Sequence, residues 1–224
     1  MPVDPFGTLM TLMATRDERK QITRQALLDA ALTLSLRSGF AAVGLREVTR
    51  EAGVVPTAFY RHFQSLDQLG LALVDDVCLR LRQMMREART VARSSPDLAI
   101  RDSVRGYLMY VRANARAFEF VVRERSGGSA VLREAIGREI LYFVRELADD
   151  LKLLAPFAAY NREDLEMIAD LVVNAVMNLT LDVQSVPEGQ TERARELTRR
   201  GVKQLRLIFL GAAMWKPELG ARRA

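Results

Sequence analysis

The 224-residue chain has one cysteine, Cys78, and one histidine, His62. A lone thiol can form no intrachain disulfide, which is the usage expected in a reducing cytoplasm. Cys78 lies in a stretch with helical periodicity, where a buried packing role is expected. With one imidazole and one thiol, His-rich zinc clusters and Cys-containing metal sites of any size are excluded. No Walker loop and no dinucleotide-binding glycine fingerprint is present. The acidic pairs Asp75-Asp76 and Asp149-Asp150 are adjacent on helical stretches, so their carboxylates point apart and form no acid-base dyad. Catalysis lacks a constellation, and the expectation is a protein that is not an enzyme, with no metal and no cofactor. No apolar run approaches the roughly 18 residues that a membrane span requires. Met1 to Ala14 has no basic stretch followed by a long apolar core, so it reads as neither signal peptide nor anchor. A cytoplasmic protein with an N-terminal tail over residues 1–15 and no membrane partner is expected.

What is present is globular composition, 49% hydrophobic and 27% charged. The formal net charge of +5 favours a polyanionic partner, because Lys and Arg release condensed counterions when they neutralise phosphates. Arginines are spread along the chain, however, so most of them read as solvated helix faces. Helical periodicity recurs and alternating strand patterns do not, which predicts an all-α fold. Thr15-Arg16-Asp17-Glu18 has capping-box spacing and opens a helix with Ile22, Ala26, Ala30 and Leu34 on one face, ended by Gly39. Leu45, Val48 and Ala52 mark a two-turn helix. Gly53 follows, and a second short helix opens near Pro56 and carries Phe59 and Phe63. Ser65-Leu66-Asp67-Gln68 caps a long helix running to about Ser94. Further helices are predicted around residues 100–111 and 132–151, separated by Ser126-Gly127-Gly128-Ser129. Two more run from Asn161 to about Val183, and from the Pro187-Glu188-Gly189 turn to about Trp215. The organisation expected is a three-helix helix-turn-helix domain over residues 16–64, a larger helical ligand-binding and dimerisation domain over 65–216, and a tail over 217–224.

Two short helices joined by a tight turn can seat the second in the DNA major groove while the first braces it across the backbone. Phe59 and Phe63, four residues apart, face the small core. Thr57, Tyr60, Arg61 and His62 point elsewhere and need water or DNA. Thr57 and Ala58 are short enough for close approach to base edges, and Tyr60 and His62 can donate to phosphate oxygens.

Residues 53–69, Gly-Val-Val-Pro-Thr-Ala-Phe-Tyr-Arg-His-Phe-Gln-Ser-Leu-Asp-Gln-Leu, resemble the recognition helix and following cap of TetR-family repressors. The resemblance implies DNA contacts from Arg46, Pro56, Thr57, Tyr60 and His62. Val55 replaces the family's usual Ser cap, and Leu66 replaces a Lys that commonly touches phosphate. Arg123-Glu124-Arg125-Ser126-Gly127, together with Leu45-Arg46-Glu47-Val48 and Leu69-Gly70-Leu71, resembles a narrower branch, the repressors of unsaturated fatty acid synthesis of the FabR and DesT type. That likeness implies a long-chain fatty acyl-CoA or acyl carrier protein thioester as effector. A TetR-like regulator of another hydrophobic compound, such as a drug, is the alternative.

Met84, Met109, Phe118 and Phe120 then read either as an acyl tunnel lining or as ordinary core. Arg123 and Arg125 read either as neighbours of the thioester's phosphates or as surface partners of Glu119 and Glu124. Residues 171–183 are apolar over more than one face, with Asn174 and Asn178 four apart, and the last helix offers Leu197, Gly201, Leu205, Ile208 and Ala212. The resemblance implies that these two helices build a four-helix homodimer bundle, with Gly201 and Ile208 expected at its interface.

Overall fold

The computed structural model describes residues 15–91, 96–184, 186 and 190–215, and regular structure among them is helical throughout. In chain order the helices are α1 (Arg16–Ser38), α2 (Leu45–Glu51), α3 (Pro56–Phe59), α4 (Leu66–Val91), α5 (Pro96–Ala113), α6 (Ala115–Glu124), α7 (Ala130–Lys152), α8 (Arg162–Gln184) and α9 (Thr191–Met214), with single 3-10 turns at Phe40–Ala42 and Ala155–Phe157. Residues 1–14 of the expected N-terminal tail, the expected C-terminal tail, the Ser94-Ser95 break, the Pro187-Glu188-Gly189 turn and the Met84 side chain lie outside the described residues, while Thr15 caps α1.

Caps fix the element starts. The Thr15 amide donates to Glu18 Oε2 at 2.5 Å and the Glu18 amide to Thr15 Oγ1 at 3.3 Å, a reciprocal box. At α4 the Gln68 amide donates to Ser65 Oγ at 3.1 Å, while Gln68 Oε1 accepts from the Gln64 amide at 2.5 Å. The separate α6 is absent from the periodicity reading, because no Gly or Pro marks its start. Asn114 makes the break instead: it leaves helical geometry at φ −121° and ψ 31°, and its Nδ2 donates back to the Tyr110 carbonyl at 3.0 Å. The inward face of α1 also differs from expectation. Leu27, Leu28, Ala30, Ala31 and Ser35 are buried, whereas Ile22 is 53% exposed.

Three apolar clusters form the interior. The first joins Leu27, Leu28, Phe40, Val48, Phe59 and Phe63 of the N-terminal unit to Leu69, Leu73 and Val77 of α4, Phe120 of α6, and Leu132 and Ile136 of α7. The core of the small unit therefore continues past residue 64 into the larger domain. The second lies between α7, α8 and α9 around Phe143, Leu151, Leu165, Ile168 and Ala212. The third joins α5, α6, α8 and α9 through Val104, Leu108, Phe118, Leu179, Leu197 and Leu205. Cys78 packs in the first cluster, and burial pushes its thiol up to about 12, as expected of a structural cysteine.

Two of the close approaches that favour glycine lie on α4 and α9. A Cβ on Gly70 of α4 would meet Phe40 Cζ at 2.5 Å and Leu132 Cδ1 at 2.8 Å, and one on Gly201 of α9 would meet Leu179 Cδ1 at 2.6 Å. Gly201 is therefore a contact inside the protomer, and Ile208 is half-buried against the second and third clusters. Both positions expected at a subunit interface face inward. The outward apolar surface is offset from them: Met167, Leu171 and Leu181 on α8, with Leu207, Leu210 and Met214 on α9, are each 46–81% exposed.

Candidate nucleic-acid interface

The turn between α2 and α3 is built on Gly53, whose φ of 67° lies in the left-handed region that a side chain disfavours. Before it, Glu47 Oε2 accepts from the Gly44 amide at 3.2 Å and closes the first turn of α2. After it, Val55 caps α3 with no side-chain bond, and Pro56 supplies a fixed φ at the first position. Backbone bonds from the His62 and Phe63 amides to the Phe59 carbonyl carry the coil on for another turn. Phe59 and Phe63 are 0% and 3% exposed, so they anchor this short helix from below. Arg46, Pro56, Thr57, Tyr60 and Arg61 are exposed, while Ala58 and His62 are half-buried. Tyr60, 62% exposed, stacks edge-on against Phe59 at 5.5 Å between ring centroids.

The recognition helix does not stand alone. A groove of about 650 Å³ is lined by Ala58, Arg61 and His62 from that helix and by Arg16, Asp17, Arg19, Lys20 and Thr23 from α1. Five of these eight side chains are basic or imidazole, and together they form a positive concavity beside the short residues Thr57 and Ala58. Sequence reasoning missed the α1 contribution. Its signal was present, since residues 16, 19, 20 and 23 follow the spacing of one helix face. Burial, and then the charges of Lys20, Arg24 and Arg61, hold the His62 imidazole below its ordinary range, and its Nδ1 has no hydrogen-bond partner. A small α-helix laid between a positive groove and short base-edge residues can take one DNA strand's phosphates while reading the adjacent bases.

The profile of bacterial regulatory proteins of the TetR family matches residues 27–73, and that of the Tetracyclin repressor-like C-terminal domain matches residues 96–209. The chain belongs to the TetR family. Regulators of this family bind operator DNA through the N-terminal helix-turn-helix, here the 45–63 segment just described. Among solved structures, the SmeT-triclosan complex is similar at TM-score 0.63 and 20% identity over 84% of this chain and 90% of that one. The fatty acid degradation regulator FadR from Bacillus halodurans matches at TM-score 0.60 and 15% identity, over 84% and 95% of the two chains. AibR, solved with isovaleryl coenzyme A and operator DNA, matches at TM-score 0.61 and 14% identity, over 82% and 97%. All three likenesses are of fold. No helix among the described residues is long and apolar enough to cross a membrane.

Within the TetR C-terminal domain, the expected ligand residues whose side chains are described do not converge on one place. Phe120 is 0% exposed in the first cluster, against the DNA-binding unit, whereas Phe118 is in the third, edge-on to Tyr107 and Tyr110. Met109 is 63% exposed. Arg123 pairs with Glu119 at 3.4 Å and donates to the Leu36 carbonyl of α1, while Arg125 Nη1 lies 3.4 Å from Met177 Sδ. Glu124 is buried and pairs with neither arginine.

Two expectations follow for the DNA face. Tyr60→Phe should weaken binding to every duplex by about 0.5 to 1.5 kcal/mol, the net worth of one hydrogen bond, whereas Thr57→Ala should change sequence preference more than affinity. Electrophoretic titrations of both variants at matched salt check this, and parental behaviour in both would misplace the reading face. His62 adds a pH dependence. In the free protein its lowered pKa means that the unfolded chain binds more protons just below the ordinary imidazole range, so this group's contribution to stability is lost as pH falls through that window. A phosphate in the groove reverses the preference, so DNA binding should take up a proton and tighten from pH 8 to pH 6. His62→Gln should flatten that profile, and an unchanged slope would separate His62 from the phosphates.

Proposed function

We propose that this TetR-family protein is a repressor that binds a palindromic operator as a homodimer and is controlled by long-chain fatty acyl-CoA, tuning unsaturated fatty acid synthesis. The positive groove between α1 and the recognition helix carries the DNA part of the reading, with Arg46, Pro56, Thr57, Ala58, Tyr60, Arg61 and His62 as the contact set. The outward apolar residues of α8 and α9 support the homodimer. Residues 167, 171, 174, 178 and 181 repeat at alternating intervals of four and three, the seam spacing of packed helices, with Asn174 and Asn178 as polar registers at its centre. A two-fold assembly presents two recognition helices to half-sites about one DNA turn apart.

For the effector, support comes from the apolar interior of the larger domain, from the Arg123 to Gly127 resemblance, and from two similar folds, a fatty acid degradation regulator and a protein solved with isovaleryl coenzyme A. The SmeT-triclosan likeness favours a second reading, an aromatic hydrophobic compound as effector. Calorimetry with palmitoyl-CoA, oleoyl-CoA, acetyl-CoA and triclosan, with and without operator DNA, distinguishes them. Long acyl thioesters should change operator affinity about 5 to 150-fold. Affinity should climb with chain length, since each buried methylene contributes about 0.8 kcal/mol. Triclosan binding without acyl thioester binding would replace the first reading by the second.

A further inference from the structure

Of the large apolar side chains between Leu45 and Phe63, those of Val55 and Tyr60 stand in solvent, at 64% and 62% exposure. Tyr60 carries a hydroxyl, whereas the Val55 side chain has nothing that water or a phosphate can bond. Val55 precedes Pro56 with extended backbone at φ −77° and ψ 150°, and the Ala58 amide donates to its carbonyl at 2.9 Å. Val54 on one side is half-buried against the first apolar cluster, while Pro56 and Thr57 on the other are exposed, so Val55 borders the face proposed to contact DNA. Valine at this entry runs against the rest of the chain. Helices α1, α4, α7 and α8 are each entered through a side-chain oxygen, of Thr15, Ser65, Ser129 and Asn161, that accepts from a first-turn amide. A Ser or Asn at position 55 would do the same for α3 and stabilise it. Val55 instead leaves α3 without a side-chain cap and exposes two methyl groups on a stiff β-branched stem. A local rule broken on an exposed face, with no burial gained in return, marks a position set by a partner. Base edges in the major groove offer one apolar feature, the C5 methyl of thymine.

We propose that Val55 is a specificity-determining residue which packs its methyl groups against the C5 methyl of a thymine in each operator half-site. The inference rests on the DNA-contact set proposed above, to which it adds Val55, and is independent of which effector binds.

Full-length protein first selects its operator from random duplexes. No enriched sequence would remove the DNA-binding reading, and this inference with it. Each thymine of the enriched operator is then replaced by uracil, in both half-sites together, which deletes the methyl and leaves every hydrogen-bonding group in place. At one thymine position the parent should lose about fourfold in affinity per half-site, the equivalent of one buried methyl. Val55→Ala and Val55→Ser should bind the thymine and uracil forms of that position alike, to within about twofold overall, whereas Val55→Ile and Thr57→Ala should keep the parental difference. Val55→Ser should also unfold at or above the parental temperature, because it supplies the missing cap. An enriched operator with no uracil-sensitive thymine leaves DNA binding intact and overturns the proposal. So does a sensitivity that survives both Val55→Ala and Val55→Ser, or one that disappears in Thr57→Ala. Unfolding of Val55→Ser below the parent would make Val55 a packing residue and overturn it as well.

Discussion

Leu207→Glu combined with Leu210→Glu will give a folded monomer that no longer holds a palindromic operator. Both side chains are well outside the protomer's own core, at 74% and 66% exposure. The substitutions should therefore change protomer stability by no more than about 0.5 kcal/mol, as surface replacements do, while placing charge in the middle of the proposed seam. Losing the second half-site removes an intramolecular binding step, and operator affinity should fall by about a hundredfold or more. Sedimentation and thermal unfolding on the same samples test both halves of the statement. Gly201→Leu should behave differently. Its side chain collides with Leu179 within the protomer, so about 1 to 3 kcal/mol of stability is lost before assembly is affected. A double variant that still sediments as a dimer would move the interface elsewhere.

Phe59→Ala will cost about 3 to 5 kcal/mol, the range for removing a fully buried aromatic, and with it DNA binding. The ring is 0% exposed beneath the recognition helix. Phe120→Ala should cost a comparable amount although it lies in the other part of the chain, because both rings belong to one cluster. Denaturant unfolding of each variant, followed by far-ultraviolet circular dichroism, provides the check. If Phe120→Ala left the N-terminal unit at parental stability while Phe59→Ala unfolded it, the shared core would be an incorrect description.

The helix-turn-helix was legible because its signals are local. Gly53 marks the turn, Pro56 the entry, and Phe59 with Phe63 the inward face, and each takes the expected place. The periodic helices from α7 to α9 were legible for the same reason. What periodicity could not decide was which of two apolar faces is the outer one. On α9, Leu197, Gly201, Leu205 and Ala212 are buried in the protomer, and the neighbouring stripe of Leu207, Leu210 and Met214 is exposed, yet both stripes repeat with helical spacing. Asn114 escaped notice because it ends α5 by bonding backward, a device that leaves no Gly or Pro in the sequence. One of the two readings of the Arg123-Glu124-Arg125 run set Glu124 on the surface as an arginine partner, whereas the chain's return at Phe40, 84 positions away, buries it. The basic residues of α1 were likewise separated from the recognition helix by some forty positions and became a site only in three dimensions.

Gly70 marks a tight clasp on α4. Helix α4 runs from Leu66 to Val91, and at 1.5 Å per residue it is about 39 Å long. The point at which it is clasped by Phe40 and Leu132 lies four residues from its DNA-side end. A rod hinged there has arms of about 6 Å and about 31 Å, a ratio near one to five. Any swing of the far end arrives at the helix-turn-helix reduced by that ratio in displacement and increased by it in force. Under the proposed dimeric, effector-controlled reading, such gearing turns a loose rearrangement of the apolar interior into a small, firmly held change in the spacing of two recognition helices.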